Sequence, residues 1–186
     1  GAKGGGIDST YICIGSIDSK DIKRLIHGVS NAVYANGYML FVRESALMAQ
    51  PFELGKLEMT GEAVPIVDRI QLTPRFNVAQ FSVSSNGRLV YKSTETSPKP
   101  MLALFDNNGK QIDSLGEWDG QNTISLSRDG QRMATDRIDD QSRNTDLWLY
   151  DFPRHIATRF TFNPARDFNP LWSPNGDRIV FSSARK

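Results

Sequence analysis

The residues able to do chemistry in this chain are few, and their spacing matches no common catalytic or metal pattern. Cys13 is the single cysteine, so the chain can form no internal disulfide and no cysteine-rich zinc or iron–sulfur site. It lies in the alternating stretch Tyr11-Ile12-Cys13-Ile14, which reads as a buried or half-buried strand position without the polarising neighbours a nucleophilic thiol needs. The two histidines, His27 and His155, sit near the ends of expected strands with no HExxH spacing and read as loop or rim residues. There is no nucleophile elbow, Walker loop, dinucleotide fingerprint or kinase motif. The expected catalytic, cofactor and metal complement is therefore none.

The most polar segment runs from Asp136 to Asp146. Its Asp139, Asp140, Asn144 and Asp146 offer hard oxygen donors, but not in the twelve-residue order of a calcium loop. A solvated loop held by Arg–Asp pairs is the better reading. Trp118, in Glu117-Trp118-Asp119-Gly120, precedes an expected strand and is the best single candidate for a contact residue. Asp139, Asp140 and Arg143 join it as candidate contacts. Lys92 to Lys99 is a second polar loop, with prolines that limit edge pairing.

A repeat must position these groups. Asn169 to Phe181, Thr123 to Thr135, Ala79 to Tyr91 and, more weakly, Ala32 to Phe41 each place an Asn-Gly or Asp-Gly pair between two short apolar runs. Such pairs favour tight hairpin turns because Asn, Asp and Gly tolerate positive φ. Gly37, Gly87, Gly130 and Gly176 follow one another at 50, 43 and 46 residues. That period, carrying several strands, is the pitch of a propeller blade. The second half of each unit recurs as well, in Asp146-Leu147-Trp148-Leu149-Tyr150-Asp151 and in Met101-Leu102-Ala103-Leu104-Phe105-Asp106. Each unit thus reads as four strands, and no window supports a helix.

Ser173-Pro174-Asn175-Gly176-Asp177-Arg178-Ile179-Val180-Phe181-Ser182-Ser183 resembles the WD40-like (PD40) repeat of TolB-type propellers, as does Asn144 to Asp151. The wording is closest to the propellers fused to bacterial serine/threonine kinases, and similar repeats accompany prolyl-oligopeptidase-like enzymes. The expected fold is all-β: a β-propeller of four-stranded antiparallel blades, with three whole blades plus two complementary half-blades. Its divisions are a lead-in at 1–10, a half-blade at 11–27, blades at 31–70, 79–116 and 122–162, and a half-blade at 169–186. The N-terminal hairpin is expected to complement a C-terminal one, in a two-chain ring in preference to a one-chain four-bladed ring or an open piece of a larger propeller. The missing initiator Met points to a processed or truncated product.

The core is expected to hold Phe81, Leu89, Leu126, Trp148, Phe160, Trp172 and Phe181. With 22 Lys+Arg against 21 Asp+Glu, an electrostatic nucleic-acid binder is disfavoured. No apolar run reaches the roughly 20 residues that span a bilayer. The leading functional expectation is a non-catalytic binding or scaffold module for a protein or peptide partner, in the manner of the sensor part of a larger signalling protein. A homodimer, but no nucleic acid and no membrane insertion, completes the expected partners. The alternatives are a hydrolase-associated propeller and an excised fragment. An extracytoplasmic location follows from the TolB resemblance alone.

Overall fold

A computed structural model describes residues 10–27, 30–73, 78–93, 101–117, 121–139 and 141–186. The chain divides into two units, Gly1–Ala79 and Gln80–Lys186.

The first unit holds β1 (Tyr11–Gly15), β2 (Ile22–His27), β3 (Ala32–Ala35), β4 (Tyr38–Arg43), β5 (Ala46–Glu53), β6 (Glu58–Met59), β7 (Val64–Val67), β8 (Leu72–Thr73) and β9 (Val78–Ala79). The β3–β4 turn is Asn36-Gly37, both at positive φ (50° and 83°). This two-residue primed turn matches the twist of the flanking strands. Met39, Phe41, Met48 and Phe52 of β4 and β5 pack with Ile26 of β2, with Ile12 and Ile14 of β1 against them. Asn31 ties down the unit's last strand: its Oδ1 accepts from the Ala79 N–H (2.7 Å), and its Nδ2 donates to the Ala79 carbonyl (3.3 Å).

The second unit holds β10 (Phe81–Val83), β11 (Leu89–Ser93), β12 (Met101–Phe105), β13 (Gln111–Glu117), β14 (Gln121–Leu126), β15 (Arg132–Ile138), β16 (Thr145–Asp151), β17 (Ile156–Arg159), β18 (Asp167–Trp172) and β19 (Ile179–Ser183). Its core joins Val90, Leu102, Leu104 and Leu115 to Leu126, Met133, Tyr150 and Phe152. Alternation along each strand aims every second residue into this seam.

The expected fold class is corrected by the strand pairing. The described strands form six separate antiparallel sheets: β1–β2, a five-stranded β3–β7 sheet, β8–β9, β10–β13, β14–β17 and β18–β19. Only two of the three expected whole blades are four-stranded. The region 31–70 departs because β5 is long enough to pair twice. Its first half takes β7 (Leu47 opposite Val67, Ala49 opposite Val64) and its end takes β6 (Phe52 opposite Met59). The β8–β9 ribbon belongs to no expected blade. Among the described residues β1 pairs only with β2 and β19 only with β18, so no ladder assembles the two hairpins into a further four-stranded blade.

The turns of the second unit are built differently from the β3–β4 turn. Gly87, Gly130 and Gly176 donate their N–H to the carbonyls of Ser84, Ser127 and Ser173. Only the glycine of each Asn/Asp-Gly pair has positive φ. These are four-residue turns closed by a left-handed glycine. The serine side chain completes them, accepting from the N–H of Arg88, Arg132 and Arg178 at 2.9–3.0 Å.

The same residues bind one sheet to the next. Arg88 donates to the Gly130 carbonyl (3.0 Å), and Arg132 donates to that of Gly176 (2.8 Å). Ser82 Oγ accepts the Leu126 N–H, and Ser125 Oγ accepts that of Trp172. Phe81, Leu89 and Leu126 are buried as expected, and Trp148, Trp172 and Phe181 are half-buried. Phe160 is exposed instead, one residue beyond β17.

Two carboxylates of this unit contribute to its acid sensitivity. The Ser127 hydroxyl (2.6 Å), the Gln131 N–H and the Arg132 charge hold Asp129 below the ordinary carboxylate range. Burial would raise Asp167, but hydrogen bonds from Ser183, Arg185 and Thr161 outweigh it and lower it. A group depressed in the folded state contributes stability that is complete above its unfolded pKa, about 3.9 for Asp. That contribution is lost as pH falls through the folded value. Thermal stability should therefore be insensitive to these two groups from pH 7 to pH 5 and decline below about pH 4. Asp129→Asn should reduce that decline in a pH series of melting curves.

Candidate functional site

The acidic loop folds around Asp139. Its Oδ1 accepts the Ser142 N–H (2.7 Å), the Ser142 hydroxyl (2.8 Å) and the Gln141 N–H (3.2 Å). Its backbone closes the loop with Asn144 and Arg143, each at 2.8 Å. The Ser142 N–H first, then its hydroxyl, hold the carboxylate below its ordinary range. Asp139 therefore shapes the loop and remains an exposed anion. Arg143 is exposed at φ 55°. A left-handed non-glycine residue costs roughly 1–2 kcal/mol, so Arg143→Gly should be neutral to slightly stabilising by chemical denaturation. Asp140 and Trp118, the other two candidate contacts, lie outside the described residues, as do positions 94–100 of the second polar loop.

Below the loop the strands present a different set of groups. Arg137 stands opposite Asp146, and Trp148 opposite Arg159. Asp146 is buried and takes an Arg159 Nη2 at 2.6 Å. Asn144 and Thr161 contribute longer contacts at 3.4 Å. Arg159 is fixed further by donating Nε–H to the Thr161 carbonyl (2.9 Å) and by lying over the Phe162 ring. The Arg137 guanidinium lies 5.3 Å over the Trp148 ring, within cation–π range. Arg137, Ile138, Asp139, Gln141, Asp146, Trp148 and Arg159 line a pocket of about 300 Å³.

Of the sequence candidates, the structure brings Asp139 to this pocket. Arg137, Trp148 and Arg159 were not singled out. What brings them together is register: on antiparallel neighbours Trp148 and Arg159 face one another. A tryptophan flanked by arginines on both sides is not a plain core position.

The histidines divide. His27 is exposed at the end of β2, edge-on to Tyr11 at 5.2 Å. Cys13 is exposed on β1 rather than buried, because Ile12 and Ile14 take the inward positions. His155 sits in the β16–β17 turn at φ 52°. Its Nδ1 lies 3.4 Å from Asp113 Oδ2 and 3.5 Å from the Tyr150 hydroxyl. A base beside a carboxylate is half of a hydrolytic constellation. The third member here is a phenol whose pKa burial, and then the Asp113 charge, push up. Tyr150 is therefore a neutral hydrogen-bonding group at neutral pH and a poor nucleophile. Among the described residues no group of three or more His, Cys, Asp or Glu side chains is placed to hold a metal.

With this geometry in place, known structures supply a comparison. No family model matches the chain. A TolB structure from Acinetobacter baumannii superposes with a TM-score of 0.68 at 15% identity, over 91% of this chain and 42% of that one. A TolB-type protein from Agrobacterium tumefaciens gives 0.59 at 21% identity, over 80% and 50%. Prolyl endopeptidases give 0.56 at 12% identity, over 82% and 25%. The chain is β-propeller-like. It bears a distant, low-identity resemblance to TolB-like propellers, which is a likeness of fold, and it spans half or less of the length of each of these structures. No helix among the described residues is long and apolar enough to cross a membrane.

Proposed function

We propose that the chain is a non-catalytic binding module for a protein or peptide partner, engaged at the loop between β15 and β16. The observation that carries this is the pocket in which Trp148 lies under Arg137 beside the Arg159–Asp146 pair. Tryptophan and arginine are the residues most enriched where a few contacts carry an interface. The pocket holds a ring face, two guanidiniums, an exposed carboxylate and an amide, which suits a mixed polar peptide better than an apolar metabolite. Loops carried on a rigid sheet commonly serve recognition. Part of the same proposal is that the module acts within a larger signalling protein; its extracytoplasmic setting is the part that the TolB-like fold supports.

Selection from a random peptide display library on the immobilised chain tests the site. Selected peptides should lose most of their affinity for Gln141→Ala and Arg137→Ala, and retain it for Lys110→Ala, in the exposed β12–β13 turn. Peptides indifferent to both pocket substitutions would overturn this assignment.

A further inference from the structure

An irregular strand turns one carboxylate of the second unit inward. β12 and β13 pair Phe105 with Gln111 but Leu104 with Asp113, so β13 carries one extra residue, Ile112, at a β-bulge. In unbroken register Ile112 would stand opposite Leu104. The bulge puts Asp113 there instead and leaves Ile112 42% exposed. Cross-strand partners share one face of a sheet, and Leu104 is buried in one cluster with Tyr150 of β16. The β16–β17 pair keeps its register at the corresponding level, with Asp151 opposite Ile156, Tyr150 opposite Ala157 and Leu149 opposite Thr158.

The inward carboxylate is only half satisfied. Asp113 Oδ1 accepts the Ser114 N–H at 2.7 Å. Its Oδ2 is buried and receives no hydrogen bond from the described residues. Taking a charge out of water is costly, so buried charges are paired or coordinate a metal. Two further electron-pair donors stand beside Oδ2. His155 Nδ1 is 3.4 Å from it, and the Tyr150 hydroxyl is 3.5 Å from that nitrogen. The β16–β17 turn holds His155 there: the His155 N–H donates to the Phe152 carbonyl (3.3 Å), and Asp151 Oδ1 accepts the Arg154 N–H (3.0 Å).

These spacings are too long for a charge-assisted hydrogen bond, which closes to about 2.7–2.9 Å. They do fit ligands around one ion. Two ligand atoms each about 2.1 Å from a tetrahedral zinc stand about 3.4 Å apart. The set is one imidazole, one carboxylate and one phenol, so it falls short of a full protein cage and leaves positions to water. The His155 side chain is 67% exposed, which opens that side to solvent. An imidazole nitrogen favours zinc and its neighbours among the transition metals, whereas calcium and magnesium need several oxygens.

We propose that Asp113 Oδ2 and His155 Nδ1, with the Tyr150 hydroxyl as a weaker third ligand, form a binding site for a divalent cation of the zinc class. The cation neutralises the inward carboxylate and clasps β13 to the β16–β17 turn, joining two neighbouring sheets. The site shares no residue with the loop pocket of Arg137 and Trp148.

The test titrates zinc chloride into the full chain, free of any affinity tag, by calorimetry. Saturable binding of one zinc per chain in the micromolar range is expected. It should weaken by at least about tenfold in Asp113→Asn and in His155→Gln, weaken less in Tyr150→Phe, and stay unchanged in His27→Gln. Saturating zinc should raise the melting temperature of the chain and of His27→Gln but not that of His155→Gln, and calcium chloride should raise none of them. His155 is exposed, so His155→Gln should fold, as its metal-free melting curve will show. Absence of saturable zinc binding would overturn the proposal and leave a plain imidazole–carboxylate contact. Zinc binding that His155→Gln leaves unchanged, or calcium binding as tight as zinc, would overturn it equally.

Discussion

Gly130→Ala should destabilise the second unit by about 2–4 kcal/mol, more than alanine at Gly109 or Gly37. Two effects add at Gly130. Its φ of +65° is left-handed, which costs a side-chain-bearing residue roughly 1–2 kcal/mol. A Cβ there would also stand 2.6 Å from Arg88 Cδ, 3.1 Å from Arg88 Cβ and 3.0 Å from Ser84 Oγ. Arg88 can swing away, but only by giving up its hydrogen bond to the Gly130 carbonyl (3.0 Å), a net loss of about 0.5–1.5 kcal/mol. Ser84 is less free, since its hydroxyl completes its own turn through the Arg88 N–H. Gly37 and Gly109 share the positive φ, but a Cβ there meets nothing within 4 Å, so they isolate the conformational part. Urea denaturation of the three variants separates the terms. If Gly130→Ala costs no more than Gly109→Ala, the turn-to-turn packing contributes nothing to stability. If Arg88→Ala removes most of the difference between them, the steric account holds.

The same contact shows why part of the architecture was legible in the sequence. Ser-x-Asn/Asp-Gly fixes a local turn, and local turn chemistry survives in any context that needs a hairpin. The hairpins at Gly87, Gly130 and Gly176 are therefore present where the pattern placed them, as are the strands that follow in the second unit, while at Gly37 the Asn36-Gly37 pair alone makes the turn. What the pattern did not encode is how many strands each sheet collects. β5 pairs with both β6 and β7 because it runs for eight residues, and Pro51 and Pro65 lie inside paired strands. Pairing number depends on strand length and on neighbours distant in sequence, which a repeat period does not report. The site was legible only in part for a similar reason. Asp139 stood out by composition, whereas Arg137, Trp148 and Arg159 become a site only through cross-strand register. Trp148 taken alone reads as core, and its half-burial follows from the arginine on each side. Cys13 illustrates the limit of alternation: the pattern showed that one face of β1 is buried, but not which.

Arg159→Met should be the more damaging substitution at the candidate site, for a reason that lies in Asp146 rather than in the arginine. The Asp146 side chain is 2% exposed, and its Oδ2 takes the Arg159 guanidinium at 2.6 Å. Its remaining contacts, from Asn144 and Thr161, are both 3.4 Å and weak. Removing the arginine takes from a buried carboxylate its hydrogen-bonded counter-charge, with Arg137 across the strands as the next cation, and breaking such a pair in comparable cases costs about 3–5 kcal/mol. Arg159 is about one-third exposed, so solvent will reach the vacated space and the lower end of that range is expected, about 3 kcal/mol. Asp146→Asn should cost less, because a neutral amide still accepts from Arg159 and carries no charge to desolvate. The double variant Asp146→Asn/Arg159→Met should recover part of the single-arginine loss, since the stranded charge is gone. A double-mutant cycle by urea denaturation reads this as a coupling between the two sites. Additive losses would mean that the pair is held by surrounding packing rather than by its charge. Recovery in the double variant, with peptide binding still impaired, would place Arg159 in both tasks: it neutralises Asp146 and presents a guanidinium beside Trp148 to the partner.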